Sequence, residues 1–468
     1  MKSKVYIVLI TLVATLGGLL FGYDTAVISG AEGSLQVYFA DHLHLSSLAH
    51  GLTVSSALIG CIIGGLVSGY FSTRIGRKYT LILSAGLFLI SALGSAYPEF
   101  LFFPNADEAT YRLLFMFNFY RIIGGIGVGL ASAVSPMYIG EIAPPHVRGT
   151  LVSLNQFAII FGMLVVYFVN WGIGQGQTTE WLNDLGWRYM FASEGIPAVL
   201  FLLLLFTVPE TPRYLASKGK KNDAFKILNK IYDQTMAKAT LFEINQSFDQ
   251  QKAKLFAFGK TIVFVGIVLS IFQQFVGINV ALYYAPRIFE SLGAGRDASM
   301  VQTIIMGLVN VVFTVAAIVT VDKLGRKPLL ITGSIGMTIG MFGVAGMAFS
   351  NAIGIATLIF IIVYTASFMM SWGPIVWVLI SEIFPNKIRG QAVALAVAAQ
   401  WAANYFISST YPMMMEFSGG LTYSFYGLMS ILSAVFVWKF VPETKGKSLE
   451  QLEMRLRRTP EAVRKTGM

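Results

Sequence analysis

The sequence predicts an all-α integral membrane protein. Twelve transmembrane helices are expected in two pseudo-symmetric six-helix bundles, joined by a cytoplasmic helical linker. Three observations predict this: an apolar composition, apolar runs of membrane-spanning length, and a set of motifs that occurs twice in the same order. Of 468 residues, 55% are hydrophobic and 12% charged, against about 25% charged in a soluble domain. Too little polar material remains to cover several soluble domains. The composition argues against a soluble enzyme, a coiled coil and a disordered chain, and favours lipid as the surrounding solvent. The 46 Gly agree, because Gly is frequent in membrane helices, where backbones approach closely.

The apolar runs lie near 5–29, 51–72, 79–97, 112–140, 150–172, 187–208, 260–289, 300–321, 328–349, 354–382, 391–415 and 421–441. Each is long enough to cross about 30 Å of hydrocarbon. The first follows Lys2 and Lys4, as a signal peptide would. It is long, however, and reaches Tyr23-Asp24 without a small-residue cleavage site, so it is read as a span.

Basic residues orient the runs. Most of the 34 Lys and Arg fall in the first tail, the alternate loops, the long central segment and the last tail. Both termini and the central loop are therefore expected in the cytoplasm, with the protein multi-pass in the plasma (inner) membrane. The net charge of +10 does not indicate a nucleic-acid partner, since the basic residues sit in short loops rather than on one amphipathic face. The lone Cys61 excludes an internal disulfide and a Cys-based metal site. No metal and no cofactor is expected.

The segment 209–259 is the one long polar stretch. Residues 223–232 read as an amphipathic helix with Phe225, Leu228 and Tyr232 on one face. A helical brace at the cytoplasmic mouth is favoured over a plain tether. The expected domains are an N-terminal bundle at 1–208, the linker at 209–259, a C-terminal bundle at 260–445 and a cytoplasmic tail at 446–468.

The repeat sets the architecture. Gly-Arg-Lys occurs at Gly76-Arg77-Lys78 and Gly325-Arg326-Lys327. Glu-Ile-x-Pro-x-x-x-Arg-Gly occurs from Glu141 to Gly149 and nearly intact from Glu382 to Gly390. Val-Pro-Glu-Thr occurs from Val208 to Thr211 and from Val441 to Thr444. Copies recurring in order, about 240 residues apart, indicate two homologous halves. Such halves are the mark of a secondary transporter, whose substrate site is expected near mid-membrane at the repeat interface.

These motifs make the chain resemble the sugar porter family of the major facilitator superfamily. Further carriers are Pro209-Glu210-Thr211-Pro212-Arg213-Tyr214-Leu215, Pro442 to Gly446, Gln273 to Asn279 with Tyr283-Tyr284, and Trp372-Gly373-Pro374-x-x-Trp377. The likeness covers nearly the whole chain and runs most closely to bacterial proton-coupled D-xylose symporters. It implies a monosaccharide and a proton as partners, a lipid bilayer as surroundings, a monomer, and transport rather than an enzymatic reaction.

Asp24 lies in the first run. A carboxylate there costs about 2.5–3.5 kcal/mol on insertion scales, so it needs a partner or a proton. Arg121, inside the fourth run, is the expected partner. A nearby guanidinium favours the carboxylate and burial favours the acid. Separating the two groups would change proton affinity, and a symporter needs that coupling. In the family, an acid at this position resembles proton-coupled members, whereas passive facilitators tend to have Asn.

A pyranose is uncharged and rich in hydroxyls, so amides and aromatic rings suit it. The resemblance implies Gln156, Gln273, Gln274, Asn279, Tyr283, Asn310, Gly373, Trp377, Gln400 and Trp401 as substrate-binding residues, with Phe21 as a lid. Asn279 and Tyr283 are spaced i, i+4 and share a helix face. Gly373-Pro374 is expected to kink the tenth span, with Pro136 and Pro286 as further candidate bends. The run from Gly124 to Gly129 lies inside a span and follows no strand, so it reads as helix packing rather than a phosphate loop. The same holds for Gly60-x-x-x-Gly64 and Gly65-x-x-x-Gly69.

Cytoplasmic acids contribute little to topology, so they ask for another role. The expected role is a gate of ion pairs between the halves, built from Arg74, Glu141, Arg148, Glu210, Arg326, Glu382, Arg389 and Glu443, with Arg77 nearby. Glu141 is expected against Arg148, and Glu382 against Arg389. Two departures from the family pattern stand out. Thr73 replaces the acid or amide usual before Arg74, while Asp322 keeps it in the second half. Met163, seven residues after Gln156, stands where the xylose symporters have Gln. The expected function is a proton-coupled monosaccharide symporter with D-xylose as leading substrate. A passive facilitator, a hexose-proton symporter, a sugar sensor and a proton-driven drug exporter are the rivals.

Overall fold

The structure is a computed structural model that describes residues 2–99, 109–247, 255–256, 260–291, 295–350, 354–384 and 388–445. Helices make up nearly all of it. In chain order they are α1 (Lys2–Leu35), α2 (Ser47–Val54), α3 (Ser56–Arg74), α4 (Arg77–Ala96), α5 (Tyr111–Ile142), α6 (Pro145–Gly174), α7 (Thr179–Trp181), α8 (Trp187–Ser193) and α9 (Gly195–Thr207). The polar segment holds α10 (Pro212–Ser217), α11 (Lys221–Ile231) and α12 (Gln234–Ser247). Then follow α13 (Lys260–Phe275), α14 (Ile278–Tyr283), α15 (Ala285–Ser291), α16 (Arg296–Leu324), α17 (Arg326–Ser350), α18 (Ile355–Met370), α19 (Trp372–Ile383), α20 (Arg389–Phe417) and α21 (Gly419–Phe440). Two π-helical stretches, Gln36–Asp41 and Leu182–Gly186, lie at the C-terminal end of the first span and in the N-terminal part of the sixth.

Among the described residues, eleven spans are long and apolar enough to cross a membrane. The remaining long helix, α20, has 29 residues, and its Gln391, Gln400 and Asn404 dilute its apolar character. Twelve membrane helices result, the number read from the sequence. Large apolar side chains such as Leu12, Phe115, Ile196, Phe206, Ile355 and Trp438 are exposed, as a lipid-facing surface requires.

Contacts divide the chain into two compact units. One comprises Met1–Gln250 with Arg296–Ile304, the other Gln251–Gly295 with Ile305–Met468. Helices α10 to α12 therefore group with the first unit. In α11 the buried face is Ala224, Ile227, Leu228 and Ile231. That i, i+3, i+4, i+7 set is a better helical stripe than the expected Phe225, Leu228 and Tyr232, and Phe225 and Tyr232 sit half-buried at its edge. The tail at 446–468 and the side chains of Asp322 and Arg389 lie outside the described residues.

Within the first unit, glycines set the helix spacing. A Cβ on Gly60 would strike the Ile122 carbonyl, and one on Gly125 would strike the Ala57 carbonyl. So α3 and α5 touch backbone to backbone at Gly60, Gly64, Gly125 and Gly129, the packing role expected for two of these runs, whereas Gly69 is exposed and a Cβ there would meet nothing within 4 Å, so Gly65-x-x-x-Gly69 does not pack as expected. Gly22 does the same between α1 and α6, where its Cβ would strike the Ile159 carbonyl.

Proline does not act uniformly. Helix α5 runs unbroken through Pro136, and Pro286 sits in the first turn of α15, where a missing N–H costs nothing. The tenth span breaks at Ser371, with φ −133° and ψ −85°. That is three residues before Pro374, whose ring clashes with the carbonyl of the residue four earlier, Met370. The seventh span, expected as one run, is divided at Gly277 and again at Tyr284. Gly277 adopts φ +91°, a conformation that favours glycine.

Candidate functional site

In the first unit, α1 and α5 bring Asp24 and Arg121 together. Arg121 Nη1 donates to Asp24 Oδ1 at 2.7 Å, and Nη2 donates to the Asp24 carbonyl at 3.2 Å. Arg121 also lies over the Phe191 ring, 5.2 Å from its centroid. Asp24 is 0% exposed and Arg121 1%. A third charge-bearing group, Glu194 between α8 and α9, is 0% exposed. It is close enough for the charges of Asp24 and Arg121 to act on it. Neither Glu194 oxygen meets a donor, and neither does Asp24 Oδ2. Two buried carboxyls thus lie near one guanidinium, which is bonded to Asp24. Glu194 is absent from the sequence-derived site. The signal was present, since an acid inside the apolar run 187–208 carries the same cost as Asp24.

The amides of the second unit form a linked array. Gln273 donates through Nε2 to the Trp372 and Gly373 carbonyls, at 2.9 and 3.2 Å, at the break in the tenth span. Gln274 donates to Gln273 Oε1 at 3.4 Å, and Asn279 donates to Gln274 Oε1. Tyr283 Oη accepts from Asn404 at 3.3 Å, and Asn404 Oδ1 accepts from Ser408 at 3.0 Å. Asn310 and Gln400 are buried, yet Asn310 Oδ1 and Gln400 Oε1 meet no donor. Such orphan acceptors are costly unless a hydroxyl or amide reaches them. Trp401 and Gly373 are buried and Trp377 is half-buried. Gln156 on α6 and Phe21 on α1 belong to the first unit, and both are half-buried. Asn404 was missed because an amide in an otherwise apolar run also reads as helix-to-helix glue.

The charges of the repeated motifs form one pattern twice. In the first unit, Arg77 Nη2 donates to Glu141 Oε1 at 2.8 Å, and the Thr211 hydroxyl donates to Glu141 Oε2 at 2.6 Å. Glu210 accepts from the backbone amides of Arg77 and Lys78 at 3.2 and 3.0 Å, capping α4. In the second unit, Arg326 Nη2 donates to Glu382 Oε1 at 2.9 Å, and the Thr444 hydroxyl to Glu382 Oε2 at 2.6 Å. Glu443 accepts from the amides of Arg326 and Lys327 at 3.1 and 3.0 Å. Gly76 and Gly325 precede these helices with φ +101° and +92°. A Cβ on either would crowd the capping carboxylate. That explains Gly in both Gly-Arg-Lys motifs.

The expected pairing changes here. Glu141 meets Arg77 rather than Arg148, because extended backbone at Ala143 and Pro144 carries the chain away before α6 begins. Arg148 is exposed and donates to the Ala143 carbonyl at 3.4 Å. Arg74 donates to Tyr70 Oη on its own helix at 2.6 Å, so Arg77 takes the place assigned to it. The described pairs close within each unit.

The two capping carboxyls differ. Burial raises Glu210 above the usual carboxylate range, against the amides of Thr211, Lys78 and Arg77 and the Arg77 charge. For Glu443 burial also raises, but the amides of Lys445, Arg326, Lys327 and Thr444 outweigh it, and its carboxyl is held below that range.

A family model described as Sugar (and other) transporter matches residues 10–456. The chain is 56% identical to the D-xylose-proton symporter of Escherichia coli (strain K12), over 96% of this chain and 95% of that protein. It is 40% identical to the glucose facilitated diffusion protein of Zymomonas mobilis, over 97% and 98% of the two chains. Among solved structures, an inward open conformation of the xylose transporter XylE from E. coli superposes with TM-score 0.87 at 55% identity. That match covers 96% of this chain and 100% of that one. With its motifs, twelve membrane helices and family match in agreement, the chain belongs to the sugar transporter family, as a multi-pass carrier of the major facilitator fold.

Proposed function

We propose that the protein takes up D-xylose together with a proton, by alternating access. The observation that carries this reading is the buried cluster of Asp24, Arg121 and Glu194. One guanidinium cannot balance two buried carboxylates, and an unbalanced charge in such a place is expensive. A proton held between the carboxyls removes the imbalance and supplies the donor that Asp24 Oδ2 and Glu194 lack. The cluster therefore supports a site that gains and loses a proton. The 56% identity to a D-xylose-proton symporter supports both the sugar and the coupling.

Substrate recognition falls to Gln273, Gln274, Asn279, Tyr283, Asn310, Gly373, Trp377, Gln400 and Trp401 in the second unit, with Gln156 and Phe21 from the first. The orphan acceptors on Asn310 and Gln400 suit sugar hydroxyls, and the tryptophans suit the apolar C–H face of a pyranose. The paired Arg77–Glu141 and Arg326–Glu382 sets, capped by Glu210 and Glu443, stiffen the cytoplasmic ends of the two bundles, 1–208 and 260–445. The linker 209–259 braces the first of them. The protein works as a monomer in the inner membrane, with both termini in the cytoplasm.

The test is uptake of labelled xylose, glucose, galactose and arabinose into vesicles, with and without a proton gradient. Xylose is expected to accumulate only with the gradient. Asp24→Asn is expected to lose accumulation and keep sugar-for-sugar exchange. Uptake indifferent to the gradient would instead establish a facilitator, like the Zymomonas relative.

A further inference from the structure

Helix α4 turns one face, with Ser84, Phe88, Ser91 and Ser95, into the first unit, where all four are fully buried. The spacing is that of one helical stripe. Ser84 donates to the Gly127 carbonyl of α5 at 2.7 Å, so this face meets α5. The next two serines behave differently: Ser91 Oγ and Ser95 Oγ meet no hydrogen-bond partner. Many buried serines of this protein donate to a carbonyl three or four residues back, as Ser29 does to Ala26 and Ser430 to Tyr426. Two hydroxyls one turn apart without any such bond are a costly exception.

Gly124 of α5 shows what they face. A Cβ built on it would strike Ser91 Oγ and lie 3.3 Å from Asp24 Oδ1. Ser91 thus stands beside the Asp24 carboxyl, across a glycine that keeps side chain out of the gap. Ser95 lies one turn further toward the C-terminal end of α4. The Tyr120 ring walls this stretch at Gly94, and its hydroxyl is also buried without a partner. At the end of the helix, the Ala96 carbonyl accepts from Arg188 at 3.0 Å. Arg188 also holds Glu99 at 2.9 Å, and the Glu99 side chain is 22% exposed. Unpartnered hydroxyls therefore lie along α4 between a part-exposed carboxylate and the buried Asp24.

We propose that Ser95 and Ser91 form a relay that carries a proton to and from Asp24, an inference that rests on the proton-coupled reading above. Water is the ligand of the seam. Serine side chains one turn apart, with about 5–6 Å between Cβ atoms, can be joined by a water, because each hydroxyl both donates and accepts. A hydronium ion at the Glu99 end gives up one proton. At each oxygen along the line one O–H bond forms and another breaks, and the last proton bonds to Asp24 Oδ2. The hydronium is left as water, both serines end neutral, and only the carboxyl has changed charge. Release runs through the same steps in reverse.

The charged and titratable groups around Asp24 are Arg121 from α5, Glu194 from the α8–α9 junction and Cys61 from α3. Tyr23, next to Asp24 on α1, is hydrogen-bonded to Ser193 at 2.8 Å. On α6, packed on α1 at Gly22, the titratable side chain of the middle turns is Tyr167. Between Tyr79 and Tyr97, α4 carries none. On the buried face of α4 a proton therefore meets only the serine hydroxyls.

The test is a pH jump on the full-length protein in detergent, followed by the infrared band of the protonated carboxyl, which is assigned by its loss in Asp24→Asn. Ser91→Ala is expected to slow the rise of the band at least about tenfold, less than the ~10²–10⁴ that a positioned proton-transfer group contributes, because other openings still admit protons slowly. The final amplitude should not change, since a relay alters rate and not equilibrium. Ser95→Ala should act likewise, so the outcome does not hang on one variant. Ser84→Ala cuts the bond to Gly127 and serves as the packing control: its rate should match wild type while its unfolding temperature falls. Ser91→Ala removes a hydroxyl without a partner, so its unfolding temperature should hold. Wild-type rates in Ser91→Ala and Ser95→Ala overturn the relay. Equal slowing in Ser84→Ala overturns it too, because packing would then account for the effect. A wild type with no band that depends on Asp24 sinks the proton-coupled reading and the relay together, whereas a normal band indifferent to both serines sinks the relay alone.

Discussion

Arg77 and Glu141, from the start of α4 and the end of α5, share a single carboxylate oxygen: Nη2 lies 2.8 Å and Nε 3.2 Å from Oε1. The pair is about nine-tenths buried, with side chains 12% and 11% exposed. Removing one member leaves the other partly desolvated without its counter-charge. Glu141→Gln is expected to lower transport strongly, and Arg77→Ala likewise. Their combination should cost less than the two losses added together, because the residues are directly coupled. Initial uptake rates of the three variants measure this. Strict additivity would separate the two roles.

Glu210 and Glu443 occupy equivalent places and should respond oppositely to pH. A carboxyl raised by burial adds stability that is complete below its unfolded value, about 4.3, and is lost as pH rises through its higher folded value. That is the case of Glu210. A depressed carboxyl adds stability present above about 4.3 and lost as pH falls through its lower folded value. That is the case of Glu443. At neutral pH, Glu443→Gln should therefore destabilise more than Glu210→Gln, with the gap narrowing on acidification. Thermal unfolding of the detergent-solubilised variants at neutral and mildly acid pH gives the comparison.

Gly22→Ala should cripple the protein even though alanine is a good helix former. Its added methyl would meet the Ile159 carbonyl, backbone of α6 that no rotamer change can move aside. Overpacking of this kind costs about 1–3 kcal/mol or more. Gly33→Ala, whose new Cβ has nothing within 4 Å, should be harmless. Yield of monodisperse protein and transition temperature distinguish the two.

Asn310→Ala removes an acceptor that has no protein donor, so it should leave the fold largely intact. If that acceptor serves a sugar hydroxyl, affinity should fall about tenfold, the value of about 1.4 kcal/mol for one hydrogen bond. Gln273→Ala cuts the bonds to the Trp372 and Gly373 carbonyls, so it should lower both affinity and stability. Sugar binding and thermal unfolding, measured side by side, separate the two positions.

The fold was legible because a bilayer imposes one length and one polarity on every spanning segment. Twelve runs and three repeated motifs sufficed. Breaks were less legible. Pro374 announced the interruption of the tenth span but not that the helix would already stop at Ser371, and nothing marked the seventh as three pieces except Gly277. In the site, Asp24 and Arg121 stood out as charges in apolar runs. Glu194 carried the same mark and Asn404 a weaker one. The pairing of Glu141 was misjudged because nearness in sequence favoured Arg148, whereas the turn at Ala143-Pro144 hands the contact to a residue 64 positions away.

The duplicated arginine–glutamate–threonine clasp has a mechanical corollary. Each arch carries its own keystone, cut from its own stone. The masonry inside each block is locked by parts that the block itself supplies.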